Sequence, residues 1–360
     1  MPLHLSWNED DPGIKGWIQA ARDSLYVARG SIPPGYESYF QASAQYVSAH
    51  TSTAIEGNPL EAEEAMRVIV EGADPGEPAQ VEKANLEEAY GWMAQLAEDK
   101  TARIDEGIIR TFNSLILKNL PEPHSRNRGR YRPGASLVID QRTRSIRYLP
   151  PRPELVAPLM ADFVSDIQSW LKDYPGAVVA GLSHFGLVSI HPFEDGNGRT
   201  ARLTADMILD VTGWSADRMI SISQAIHGRL SDYYRVLREV QGDEFSEDID
   251  ATEFIRFHSE ALAEAADSLA KKVVLFNLRR ERLAWELAGN LNERQVIGIM
   301  LMTDIGRISS SSYAPLTGSS QATALHDLNA LVEMGVVIRE GAGKNTRYRI
   351  APRYMEEIEE

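Results

Sequence analysis

Residues Ala177–Ile190 are apolar almost all round. A helix of that kind has no face to give to water, so it has to lie at the centre of a bundle, ringed by other helices. The neighbouring sequence supplies them. Leu155, Leu159, Phe163, Ile167 and Leu171 recur at helical spacing before Pro175 intervenes. Leu203, Met207 and Val211 continue the pattern until Gly213 ends it. Residues 222–240 and 252–288 read as further helices, the latter long enough to link two domains. The fold class that follows is mainly α. One segment departs from it: Ser136-Leu137-Val138-Ile139, polar Asp140–Ser145, then Ile146-Arg147-Tyr148 read as a β-hairpin, ended by Leu149-Pro150-Pro151.

The central apolar run leads into His191-Pro192-Phe193-Glu194-Asp195-Gly196-Asn197-Gly198-Arg199-Thr200-Ala201-Arg202. Gly196-Asn197-Gly198 tolerates positive φ, and such a turn points successive backbone N–H groups into one concavity that suits an anion. A helix beginning at about Arg199 would add its unpaired N–H groups and its dipole. Arg199 and Arg202, three apart, can then project to one side, where their guanidinium forks match phosphate oxygens. Asp195 is an oxygen ligand of the kind Mg²⁺ takes alongside substrate phosphates. A neutral His191 can accept a proton from a hydroxyl. Singly, each residue has a plainer role: a helix cap, an ordinary turn, a solvated charged face. As one ordered string the plainer roles fail, because a turn needs neither the histidine nor the arginines.

The string resembles the signature of Fic-domain proteins, His-Pro-Phe-x-(Asp/Glu)-Gly-Asn-Gly-Arg-x-x-Arg, at every specified position. The resemblance implies transfer of AMP from ATP to a Ser, Thr or Tyr hydroxyl of a protein. His191 would be the general base and Asp195 would hold Mg²⁺ on the α- and β-phosphates. Gly196, Asn197 and Gly198 would form the anion hole, and Arg199 and Arg202 would bind the outer phosphates. It also implies that the hairpin is a flap docking the target's main chain through Leu137, Val138, Ile139 and Ile146; an ordinary surface hairpin is the other reading of those residues.

A second signal lies upstream. Ser52-Thr53-Ala54-Ile55-Glu56-Gly57-Asn58-Pro59 closes a helix starting near Ser38, with Phe40, Ala44 and Val47 on its apolar side. Glu56 in a last helical turn is mildly unfavourable, since that end already carries partial negative charge. The pattern (Ser/Thr)-x-x-x-Glu-(Gly/Asn) resembles the inhibitory helix of many Fic proteins, in which the glutamate pairs with the motif's second arginine. Carried over, Ser52 and Glu56 belong to an N-terminal inhibitory segment and Glu56 pairs with Arg202.

Beyond about residue 290 the sequence changes character. A short helix opened by Asn292-Glu293-Arg294-Gln295, a Ser-rich loop Ile308–Gly318, a helix from Ser319 to Val332, and strands Val336–Glu340 and Arg347–Ile350 form a winged-helix pattern. DNA binding draws little support from it. The recognition helix offers Ser320, Gln321, Thr323 and His326 but no arginine or lysine, and the wing's Lys344, Arg347 and Arg349 face Glu340 and the acidic Glu356-Glu357 and Glu359-Glu360. A docking or structural module is the other reading.

The expected organisation is therefore 1–100, an N-terminal helical region carrying the inhibitory helix; 101–245, a Fic-type catalytic bundle with its flap; 246–288, a linking helix; and 289–360, a winged-helix-like domain. A net charge of −15 argues against broad attraction to nucleic acid or anionic membranes. With no cysteine, thiolate chemistry and disulfides are excluded, and a reducing cytoplasm is the simplest home. No signal peptide or membrane span is read. The expected ligands are ATP and Mg²⁺, and the expected partner is a protein with a hydroxyl side chain. Self-modification, a homo-oligomer, removal of AMP, transfer of another group, and a DNA-binding regulator with a silent Fic domain stay open.

Overall fold

In the computed structural model, which describes residues 3–98, 103–139, 146–287, 290–343 and 346–354, the chain is mainly helical. Strand β1 (His4–Ser6) is followed by α1 (Pro12–Ser31), α2 (Glu37–Ile55), α3 (Ala62–Glu71), α4 (Pro78–Glu98) and α5 (Glu106–Ile116). The hairpin β2 (Val138–Ile139) and β3 (Ile146–Tyr148) precedes α6 (Pro153–Asp173), α7 (Gly176–Ile190), α8 (Asn197–Val211), α9 (Ile222–Gly228) and α10 (Leu230–Gln241). Then come β4 (Asp248–Asp250) and the long α11 (Thr252–Glu286). The chain continues through α12 (Glu293–Ile305), α13 (Ser310–Leu316), α14 (Gln321–Glu333), β5 (Val337–Glu340) and β6 (Arg347–Ile350).

Every residue of α7 is buried, as a helix apolar on all sides requires. Helices α6, α8 and α11 pack around it. Phe163 and Ile167 of α6, Leu203 and Met207 of α8, and Phe254 and Ile255 of α11 belong to the same core. The first half of α11 is thus core as well as link; Ala261, Leu262 and Ala266 are buried too, and α1 lies along it. Arg256 of α11 ties the start of α1 by an ion pair of 2.6 Å with Asp11, whose other oxygen caps α1 by accepting from the Ile14 N–H.

Three local features differ from the sequence-based expectation. Residues 222–240 form two helices, because Arg229 leaves helical backbone to reach Glu260 and Glu264 on α11. The serine-rich stretch is not a loop but α13: Ser309 and Ser312 form a capping box, and Tyr313 is buried. A parallel pairing of β1 with β4, His4 opposite Asp248, had no signal in either short segment.

At the C-terminal end, β5 and β6 pair antiparallel with Val337 opposite Ile350, and Ile308 bridges to Tyr348. Asp327 of α14, fully buried, holds Arg294 and Asn292 at the start of α12. The wing residue Lys344 and the acidic Glu356–Glu360 lie outside the described residues. This unit is not detached: α13 contacts α2 and α3, and Asp304 of α12 accepts from Tyr39 Oη of α2 at 2.6 Å.

Candidate active site

The buried helix α7 delivers His191. Its φ of 50° and ψ of 57° are left-handed, so the chain turns sharply out of the helix while the His191 N–H still bonds Leu187 O at 2.9 Å. Buried Arg132 fixes that turn: its Nε donates to His191 O at 2.8 Å, its own N–H donates to Pro192 O at 2.9 Å, and Nη1 donates to Gly134 O at 3.0 Å. Burial, and then the Arg132 charge, hold the imidazole down to a pKa of about 4, against the opposing pull of the Val188 carbonyl, Glu56 and Asp195. His191 is therefore neutral at neutral pH, as a proton acceptor must be.

The loop after it is braced from within. Asn197 accepts from the Phe193 N–H at 2.9 Å and donates to Phe193 O at 2.9 Å, while the Phe193 ring is buried. Asn113 of α5 donates to Asp195 O at 2.8 Å and accepts from the Gly129 N–H at 2.9 Å. Helix α8 begins at Asn197, two residues earlier than expected, with Gly196 as its cap at φ 75°. Of the Gly-Asn-Gly run only Gly196 has positive φ; Asn197 and Gly198 are the first two helical residues, because the Asn197 side chain closes the loop on itself. The expected anion site thus falls on a helix N-terminus, whose first N–H groups have no intrahelical partner.

Glu56 sits on that N-terminus. A Cβ at Gly198 would collide with Glu56 Oε1, so only glycine lets the carboxylate settle there. The same oxygen accepts from Arg202 Nη2 at 2.7 Å. Arg202 is 2% exposed; its Nε donates to Ser52 Oγ and its Nη2 to Ser52 O, both at 2.8 Å. Burial, the largest single influence, would lower the Arg202 pKa, but the charge and hydrogen bond of Glu56 together with Tyr233 and Tyr234 outweigh it, and the guanidinium is raised. Its Nη1 is buried without a hydrogen-bond partner. Glu56 itself is the C-cap of α2, one residue past the helix proper, and α2 starts at Glu37.

Arg199 does not share a ligand with Arg202. It pairs with Glu82 of α4 and, through Nη2, with Asp195 Oδ1 at 3.1 Å. Asp195 Oδ2 lies 2.5 Å from His124 Nδ1. Among the described residues no group of three or more His, Asp or Glu side chains is placed to hold a metal. One carboxylate suffices for an Mg²⁺ ion that arrives with substrate phosphates.

The β2–β3 hairpin, the expected flap, lies beside this cluster. Leu137, Ile139 and Ile146 are exposed and Val138 is half-buried, with Val138 opposite Tyr148 and Ile139 opposite Ile146. Tyr148 anchors the hairpin by donating to Ser189 O of α7 at 2.8 Å. Its turn, Asp140–Ser145, lies outside the described residues. Between flap and α10 runs a cleft of about 360 Å³ lined by Glu56, Ile139, Arg147, Tyr148 and Tyr234, within the size range of small-molecule sites.

The Fic/DOC family model matches residues 103–209, which span the flap, α7 and the whole His191–Arg202 string. The chain carries a Fic domain. It is 31% identical over 278 residues to the protein adenylyltransferase Fic of Nematostella vectensis, an alignment covering 74% of this chain and 57% of that protein. A 73-residue stretch, 19% of this chain and 14% of its relative, is 38% identical to protein adenylyltransferase fic-1 of Caenorhabditis elegans. The chain thus spans a little over half of the first relative and a small part of the second. Among solved structures, a Fic family protein from Desulfovibrio desulfuricans shares the fold over 96% of this chain and 98% of its own, with a TM-score of 0.58 and 23% identity. A Fic domain-containing protein from Bacteroides thetaiotaomicron does so over 73% and 97%, with a TM-score of 0.59 and 21% identity. No described helix of the Fic domain or its neighbours is long and apolar enough to cross a membrane.

Sequence patterns singled out His191, Asp195, Gly196, Asn197, Gly198, Arg199 and Arg202, and with them Ser52 and Glu56. The structure brings all of these to the start of α8. Glu82, Arg132, Asn113 and His124 were missed. None lies in a local pattern, and each reaches the Fic motif only through the tertiary fold.

Proposed function

We propose that this chain is an autoinhibited protein adenylyltransferase that moves AMP from ATP onto a Ser, Thr or Tyr hydroxyl. The observation that carries the proposal is the Glu56 carboxylate lying on the anion-binding N-terminus of α8 while engaging Arg202. An inhibitory anion of that kind is useful only where a phosphate is the rightful occupant.

In the reaction, neutral His191 takes the proton of the incoming hydroxyl, whose oxygen attacks the α-phosphorus. The bond from the α-phosphorus to the bridging oxygen breaks, and pyrophosphate leaves. The α8 N-terminus, Arg199 and Arg202 position the phosphate chain and stabilise its charge electrostatically. Asp195 would hold Mg²⁺ arriving with ATP, and that ion would neutralise phosphate charge. The exposed flap residues Leu137, Ile139 and Ile146 suit main-chain pairing with a target. Residues 289–360 would serve as a winged-helix-like docking module, since Arg349 of the wing is already paired with Glu340 at 2.6 Å.

Label transfer tests the proposal. Wild type, Glu56→Gly and His191→Ala are incubated in lysate with Mg²⁺ and ATP labelled at the α-phosphate. Transfer that appears with Glu56→Gly and is lost in Glu56→Gly/His191→Ala supports it; no transfer by Glu56→Gly sinks it.

A further inference from the structure

Glu82 belongs to no recognised pattern, yet it holds the other phosphate-directed arginine. Glu82 and Arg199 pair with their side chains 18% and 5% exposed. Glu82 Oε2 accepts from Asn58 Nδ2 at 2.6 Å, and the same amide donates to Ala79 O at 3.0 Å. Asn58 stands two residues beyond Glu56, across the turn that Gly57 makes at φ 91°, and its N–H donates to Thr53 O at 3.1 Å. One turn therefore sets Glu56 on Arg202 and braces Glu82 against Arg199.

We propose that Glu82 is a second inhibitory carboxylate, which withholds Arg199 from the nucleotide as Glu56 withholds Arg202, with Asn58 coupling the two. This rests on the adenylyltransferase reading of the site and extends it. With Nη1 on Glu82 and Nη2 on Asp195, both terminal nitrogens of Arg199 are already engaged by carboxylates, and Nε is buried without a hydrogen-bond partner. A guanidinium grips phosphate through a pair of parallel donors, so a triphosphate has to displace a carboxylate to use Arg199 in full. A merely orienting Glu82 would make the opposite prediction, because its loss would leave Arg199 badly aimed and nucleotide binding weaker.

Calorimetric binding of Mg²⁺–ATP and of AMP to the full chain separates the two. The variants are Glu56→Gly, Glu56→Gly/Glu82→Gln and Glu56→Gly/Asn58→Ala. Adding Glu82→Gln is expected to tighten ATP about tenfold, the scale of one charge-assisted bond. Asn58→Ala is expected to act in the same direction by less, and AMP, which lacks the outer phosphates, to show no such shift. Unchanged or weaker ATP binding overturns the proposal, as does equal tightening for AMP. Should Glu82→Gln fail to fold, Glu82→Asp withdraws the charge by one methylene and is read by the same sign. ATP tightening without label transfer by Glu56→Gly would leave the second clamp standing and remove the transferase reading. Transfer without tightening would do the reverse.

Discussion

Glu56 and Arg202, 146 positions apart in sequence, meet at 2.7 Å on the N-terminal turn of α8. The arginine side of that contact is nearly sealed from water, at 2% exposure, and the carboxylate is 33% exposed. Water reaches the carboxylate and not the guanidinium, so the pair can be opened from the Glu56 side alone. A hydrogen bond to a charged group in such a setting contributes about 1.5–3 kcal/mol.

Removing the carboxylate should therefore raise activity. Glu56→Gly is expected to label protein from ATP about ten- to a hundredfold faster than wild type, the range those energies convert to. Initial rates of label transfer at saturating ATP measure it. A variant no faster than wild type would mean that Glu56 does not restrain the reaction.

The pH dependence of the activated variant follows from His191. Its pKa is held near 4, below the ordinary 6.5, so it stays unprotonated across mildly acidic pH. In Glu56→Gly the opposing charge of Glu56 is gone, which lowers the value further. The acid limb of kcat/KM should thus lie near pH 4 or below. A limb near 6.5 would show that another group is the base, or that the ring is solvated during turnover.

Arg132 is a positioning residue, since it touches the His191 backbone and not the imidazole's reacting edge. Arg132→Leu strands the carbonyls of His191, Gly134 and Pro151 in a buried place. The expected cost is about 2–3 kcal/mol of stability by urea unfolding. In the Glu56→Gly background kcat should fall more than the KM for ATP rises.

Stability should fall on acidification well above the range in which most carboxylates titrate. His191 and His258 are held near pKa 4, and His184 is held well below its ordinary value, chiefly by burial. Between about pH 6.5 and 4 the unfolded chain binds their protons and the native chain does not, so stability drops as pH drops. Asp206, raised to about 7, and Asp166, also raised, act in the opposite sense, but three histidines outweigh two carboxyls. Melting temperature is expected to decline from pH 7 to 4.5, and His258→Phe to flatten the decline. An identical slope in that variant would remove His258 from the account.

The His191–Arg202 string could be read from sequence because its histidine, loop and arginines are consecutive, and a chemistry that would need them together leaves a mark in one place. Glu56 was legible for a weaker reason, a short pattern next to a helix stop. Glu82 left no mark: it reaches Arg199 across 117 positions from within an ordinary amphipathic helix. Arg132 and Asn113 hold backbone carbonyls and N–H groups, which any sequence offers, so nothing in their surroundings announced them. The helices followed from apolar spacing, whereas the β1–β4 pairing joins short segments too polar to predict each other. The α8 start shifted because a side chain, Asn197, took over a turn assigned to glycine flexibility.

Glu56 and Glu82 both precede the His191–Arg202 string in the chain. Synthesis runs from the N-terminus, so the N-terminal segments emerge first. A ribosome has therefore finished both acidic partners before it begins the arginines they engage. On the proposed autoinhibited reading, every nascent chain long enough to contain Arg202 would already carry its own restraint, with no interval in which a growing polypeptide held the transfer machinery without the means to keep it quiet.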